Sequence, residues 1–151
     1  MKKHLILFLM TIGSFSSQAQ EIKWMTFNEA IEAQKNDPKP IFMDVYTDWC
    51  GPCKMLDKNT FHDANFVAYV SKNYYAVKFN GEGTDVINYK EQVMTNPGHN
   101  PNLKGRNTAH QFTSYLKVQG YPSMYIFDAK GEIKSPIVGY YTAEQLLPLI
   151  K

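Results

Sequence analysis

Polar and apolar positions change period along the chain, and the changes mark the elements. Glu21-Ile22-Lys23-Trp24 alternates, as a short half-buried strand does. Thr26 and Glu29 form a capping box ahead of Phe27, Ala30 and Ile31, which share one helical face. The pattern predicts a helix over 27–35, ended by Asp37-Pro38-Lys39-Pro40. Ile41 to Tyr46 is an almost unbroken β-prone apolar run, which predicts a central strand covered on both faces. One member is out of place there: Asp44, a carboxylate in the middle of the run.

Further on, a helical stretch over 54–59 is broken at Thr60-Phe61-His62-Asp63. Asp63 then reads as the N-cap of a helix with Phe66, Val67 and Val70 as its stripe. Tyr75 to Asn80 predicts another strand. Residues 81–107 carry Gly, Pro and five Asn and read as an excursion with a short helix near 85–93. Thr108 and Gln111 have capping-box spacing for a helix to about Val118. A turn at Gly120-Tyr121-Pro122-Ser123 precedes a strand over 124–127, a tight turn at 128–131 and a strand over 132–138. Thr142 and Gln145 cap a last helix to Ile150. Helices interleaved with strands predict an α/β domain with one sheet.

Composition narrows the function classes. A chain of 151 residues with 44% hydrophobic and 14% aromatic content can build one core. The net charge of +2 comes from Lys2 and Lys3, so residues 20–151 carry equal numbers of acids and bases. That balance gives no support to nucleic-acid binding or a polybasic membrane anchor. Lys2-Lys3-His4, the apolar run Leu5–Phe15 and small residues at 17 and 19 follow the signal-peptide pattern, with cleavage after Ala19. The run is 11 residues, short of the roughly 20 that span a bilayer, so no stable membrane insertion is expected after cleavage. The expected organisation is a signal peptide over 1–19 and one domain over 20–151, in an export compartment where disulfides persist.

Cys50 and Cys53, in Trp49-Cys50-Gly51-Pro52-Cys53-Lys54, are the only cysteines. At the end of a strand and the start of a helix, Gly51 permits a tight start and Pro52 suits the first turn. Cysteines three apart on a helix face the same way, within reach of a disulfide. Free backbone N–H groups and the helix dipole favour thiolate at Cys50, the expected attacking group, with Cys53 the more buried resolving thiol. A zinc site is a weaker alternative, because His62, His99 and His110 lack the usual ligand spacing. A purely structural staple is another, though so small a ring gains little loop entropy.

The run Asp44-Val45-Tyr46-Thr47-Asp48-Trp49-Cys50-Gly51-Pro52-Cys53-Lys54 resembles the active-site segment of thioredoxins. Val77-Lys78-Phe79-Asn80 is similar to their third strand, Gly120-Tyr121-Pro122-Ser123 to their Gly-x-Pro-Thr turn, and Lys130-Gly131-Glu132 with Val138-Gly139 to their terminal hairpin. The resemblance implies a thioredoxin-like fold, a mixed central sheet flanked by helices, with 81–107 as an insertion. It assigns Asp44 as a buried acid relaying a proton to or from Cys53, Lys78 as the lysine tuning that acid, and Pro122 as a cis-proline facing the disulfide. Trp49, Gly51, Pro52 and Tyr121 would line the substrate groove. Tyr46 stands where thioredoxins usually carry Trp, and the break at 60–63 is more similar to exported reductase domains such as the C-terminal domain of DsbD.

The implied activity is thiol–disulfide exchange at Cys50 and Cys53, with no metal and no organic cofactor. Gly51-Pro52 is the thioredoxin dipeptide, and thioredoxin sits near about −270 mV, which favours reduction of disulfides. The expected partners are disulfide-containing exported proteins and a membrane-embedded reductant donor, and the expected state is a monomer in a bacterial periplasm. An oxidant or isomerase, or a non-catalytic binding module, remain alternatives. The excursion, placed before the cis-proline turn, would flank the groove and tune partner choice.

Overall fold

The computed structural model describes residues 20–151; the signal segment read over 1–19 lies outside the described residues. Five strands form one mixed sheet. They are β1 (Trp24–Met25), β2 (Ile41–Tyr46), β3 (Tyr75–Asn80), β6 (Ser123–Phe127) and β7 (Ile137–Val138). Their spatial order is β1-β3-β2-β6-β7. β3 runs parallel to β1 and β2, whereas β6 is antiparallel to β2 and to β7. Thus β2, the run with the misplaced acid, lies at the centre.

Alternation along β2 builds the two halves of the core. Ile41, Met43 and Val45 join Val77, Phe79, Tyr125 and Phe127 under α1 (Phe27–Asn36) and α4 (Gln111–Tyr115). Phe42, on the opposite face, joins Ala76 and Met124 under α3 (Ala64–Asn73) and α5 (Ala143–Ile150). Phe27, Phe42, Phe66, Phe79, Phe112 and Phe127 are all fully buried. Each contributes about 1.5–3 kcal/mol of apolar burial. The capping boxes at Thr26 and Thr142 form as their spacing predicts. Asp63 Oδ1 caps α3 by accepting the Asn65 and Phe66 N–H groups.

Four sequence expectations need correction. The helix expected near 85–93 is a β-hairpin, β4 (Ile87–Tyr89) and β5 (Gln92–Met94). Lys90 and Glu91 turn it with positive φ values of 48° and 62°, outside any helix. Thr108 does not cap α4: its hydroxyl donates to the Gly98 carbonyl, and His110 Nδ1 accepts the Phe112 N–H instead. That helix stops at Tyr115, and Lys117 follows with φ of 55°. The strand expected over 132–138 pairs only at Ile137–Val138, with one isolated bridge from Ile133 to Phe127, because Pro136 has no N–H to donate. The first strand, read over Glu21–Trp24, is instead the two-residue Trp24–Met25 and overlaps that reading only at Trp24.

Candidate active site

β2 ends at Tyr46, and four residues later Cys50 is the N-cap of α2 (Gly51–Met55). Pro52 occupies the first helical turn, where its missing N–H is no loss. Cys50 and Cys53 form a disulfide with Cα atoms 5.3 Å apart. Cys50 Sγ also accepts the Cys53 backbone N–H at 3.1 Å. A backbone donor held on this sulfur, at the positive end of the helix, favours a thiolate once the bond is reduced. The expectation that Cys53 is the more buried does not hold: the two residues are 3% and 4% exposed. Gly51 and Pro52 are exposed on the first turn.

After Met55 the backbone widens into a π-helical turn, Leu56–Thr60. Such bulges often sit at functional sites. Here the turn carries Asp57, one helical turn beyond Cys53, to a place the sequence reading missed. Lys78 Nζ bonds Asp57 Oδ1 at 2.8 Å and Asp44 Oδ2 at 2.9 Å. The second bond follows from strand register, because Asp44 and Lys78 are direct partners across β2 and β3. The rings of Trp24, Tyr46 and Phe61 surround the same ammonium at 4.9, 5.3 and 4.9 Å. One cation therefore serves two carboxylates inside an aromatic cage.

Asp44 is fully buried, and its Oδ1 has no hydrogen-bond partner. Burial pushes its carboxyl above the usual range, and the Lys78 charge only partly opposes this. Burial pulls Lys78 down, but Asp44 and Asp57 together outweigh it and hold the ammonium above its usual value. A cavity of about 410 Å³ opens beside this group, lined by Tyr46, Thr47, Cys53, Lys54, Asp57 and Lys78. Cys53 and Lys78 thus line one solvent-reachable space, and the buried Asp44 lies behind it, one hydrogen bond away through the Lys78 ammonium.

On the other side of the pair, the Trp49 and Tyr121 rings meet edge to face at 5.8 Å. The residue before Cys50 therefore touches the residue before Pro122. The Tyr121–Pro122 peptide is cis, and Pro122 is buried at the start of β6. Gly81 packs so close that a Cβ there would lie 2.7 Å from the Tyr121 hydroxyl oxygen. His99 and His110 have structural partners: His99 Nδ1 lies 2.9 Å from the Glu82 carbonyl, and His110 Nε2 donates to the Asp85 carbonyl. Among the described residues no three His, Cys, Asp or Glu side chains converge on a common metal position.

The family model described as a thioredoxin-like domain matches residues 27–151. A thiol:disulfide interchange protein DsbD from Campylobacter jejuni is 29% identical over 126 residues, 83% of this chain and 18% of the relative. The DsbD of Pectobacterium atrosepticum is 28% identical over 115 residues, 75% of this chain and 16% of the relative. The chain thus spans less than a fifth of the length of these relatives. Among solved structures, a putative disulphide-isomerase from Bacteroides thetaiotaomicron superposes with a TM-score of 0.62 at 26% identity, covering 89% of this chain and 94% of that one. The C-terminal domain of Neisseria meningitidis DsbD gives 0.54 at 18% identity, over 82% and 88% of the two chains, a likeness of fold. With these matches and a C-x-x-C pair at the end of the central strand, the chain belongs to the thioredoxin-like family of thiol–disulfide oxidoreductases.

Proposed function

We propose that the protein is an exported reductase of protein disulfides, working through the Cys50–Cys53 couple. The observation that carries the reading is a redox pair whose first sulfur caps a helix and whose second cysteine shares a cavity with Lys78, the ion-pair partner of the buried acid Asp44. In the reduced protein, Cys50 thiolate attacks one sulfur of a substrate disulfide, forming a mixed disulfide and expelling one substrate thiolate. Asp44, hydrogen-bonded to the Lys78 that lines the Cys53 cavity, takes the proton from Cys53. The Cys53 thiolate attacks Cys50 Sγ, the second substrate thiolate leaves, and the Cys50–Cys53 bond closes. Two electrons pass to the substrate, and the two substrate thiolates take up protons.

Trp49, Gly51, Pro52, Tyr121 and Pro122 form the surface over which an extended substrate segment would lie. Renewal of the dithiol needs a two-electron donor, and in an exporting bacterium a membrane-embedded dithiol conductor fits that need. Turnover itself requires no metal or organic cofactor. A Cys53→Ala variant tests the reading, because it halts the reaction at the mixed disulfide. Accumulation of covalent adducts with exported proteins, together with insulin-disulfide reduction by the parent, is the expected result. No adducts and no reduction with any dithiol donor would leave a binding module instead. The potential of the couple fixes direction: a value near about −120 mV would make it an oxidant, whereas one near about −270 mV fits the reductase.

A further inference from the structure

The excursion between β3 and α4 returns to the redox pair through a single carboxylate. Trp49, directly before Cys50, donates its indole N–H to Glu82 Oε2 at 2.8 Å, across 33 residues of chain. The same oxygen accepts the backbone N–H of Asn107 at 2.8 Å. Both ends of the excursion therefore meet on one atom. Arg106, next to Asn107, lays its guanidinium 4.4 Å from the centre of the Trp49 ring. Tyr121 meets that ring edge-on. Glu82 is itself tied down: its N–H donates to Asn80 Oδ1 at 3.0 Å, and its carbonyl accepts from Asn96 Nδ2 at 3.2 Å.

A half-exposed indole needs none of this to pack, since water can satisfy its N–H. The fixed ring is costly to arrange and has a use where a chain must lie beside Cys50. We propose that Glu82 and Arg106 are specificity-determining positioning residues. They lock Trp49 as a rigid wall of the groove, and so favour exchange with extended polypeptide disulfides over small ones. A polypeptide must lay its backbone along the Trp49–Tyr121 wall, and a wall already fixed spares the ordering cost of binding. A small disulfide needs only the Cys50 sulfur. The inference rests on exchange at Cys50 and is independent of the direction of electron flow.

The test uses the Cys53→Ala chain, in which the first attack is isolated. Mixed-disulfide formation by Cys50 is timed with insulin and with glutathione disulfide. Glu82→Ala is expected to lower the insulin-to-glutathione rate ratio about tenfold, and Arg106→Gln about threefold. Glu82→Gln is expected to restore most of the ratio, because its amide oxygen still accepts the indole N–H. The Trp49 indole N–H resonance, one of two in the protein, should move upfield in Glu82→Ala. Arg106 is exposed, so its variant keeps the test valid if Glu82→Ala folds poorly. An unchanged ratio in the folded variants overturns the wall and leaves exchange intact. If the Cys53→Ala chain traps neither probe, exchange itself fails and takes the wall with it.

Discussion

Lys78→Met removes the ammonium that Asp44 shares with Asp57, and the consequence depends on pH in a way that can be worked out. Asp44 is fully buried, with one oxygen on Lys78 and the other unpartnered. Burial already pushes its carboxyl upward, so the folded state holds this proton more tightly than the unfolded chain does. The native protein therefore loses stability as pH rises from the ordinary carboxylate range through the folded-state value. Without Lys78 that value rises further, and the loss continues to higher pH. At about pH 3, below the ordinary carboxylate range, Asp44 is protonated in both proteins. The variant then forfeits mainly the pair to Asp57, which is 46% exposed, and the difference is no more than about 1 kcal/mol. At about pH 9 the variant must leave a buried carboxylate unpaired or protonate it against the solvent, a cost approaching roughly 3–5 kcal/mol. The methionine stem keeps the packing against Trp24, Tyr46 and Phe61. Urea unfolding of both oxidised proteins at the two pH values measures the difference. Equal destabilisation at both would refute the idea that Lys78 holds Asp44, whatever happens to activity.

Three further outcomes are expected. Asp44→Asn deletes the buried charge, so the variant should match the parent near about pH 4 and exceed it in stability near about pH 8, read by the same unfolding curves. In stopped-flow assays the same variant should release substrate from the mixed disulfide roughly a hundredfold more slowly, and an unchanged rate would remove Asp44 from the proton path. His110→Ala strips the cap from α4 and the donor to the Asp85 carbonyl, and should cost about 2–4 kcal/mol; a thermal shift equivalent to under about 1 kcal/mol would show that the ring is dispensable.

The elements legible in the sequence were those fixed by local chemistry. The capping boxes at Thr26 and Thr142 satisfy backbone donors within one turn, and Ile41–Tyr46 carries enough apolar β-prone residues to declare itself. The hairpin over 87–94 was missed because its turn uses Lys90 and Glu91 at positive φ rather than Asn or Gly. Burial of Ile87 and Tyr89 around exposed Asn88 is the period-two signal that was there to be read. At Thr108 the capping-box spacing misplaced the cap by two residues: the Gly98 carbonyl claims its hydroxyl and His110 caps the helix. In the site, the cysteine pair and Asp44 were conspicuous as residues in unusual company. Asp57 was concealed by a π-helical turn, although its spacing of four from Cys53 hinted at a shared face. Glu82 and Arg106 reach Trp49 across dozens of residues, and no local pattern encodes such contacts.

The direction of β6 has a consequence beyond sheet order. Because β6 runs against β2, its first residue, Ser123, pairs with Val45, near the last residue of β2. The end of one strand and the beginning of another are thereby set side by side, which is how a motif near residue 50 and a proline at 122 come to share an edge. A parallel β6 would send the proline to the far end of the sheet. A slip of one residue would displace it by about 3.3 Å and turn every β6 side chain to the opposite face. The groove is thus written in the hydrogen-bond ladder as much as in the cysteine motif. Grafting Trp49–Lys54 onto another strand end would carry over the sulfurs without the surface that chooses what they meet.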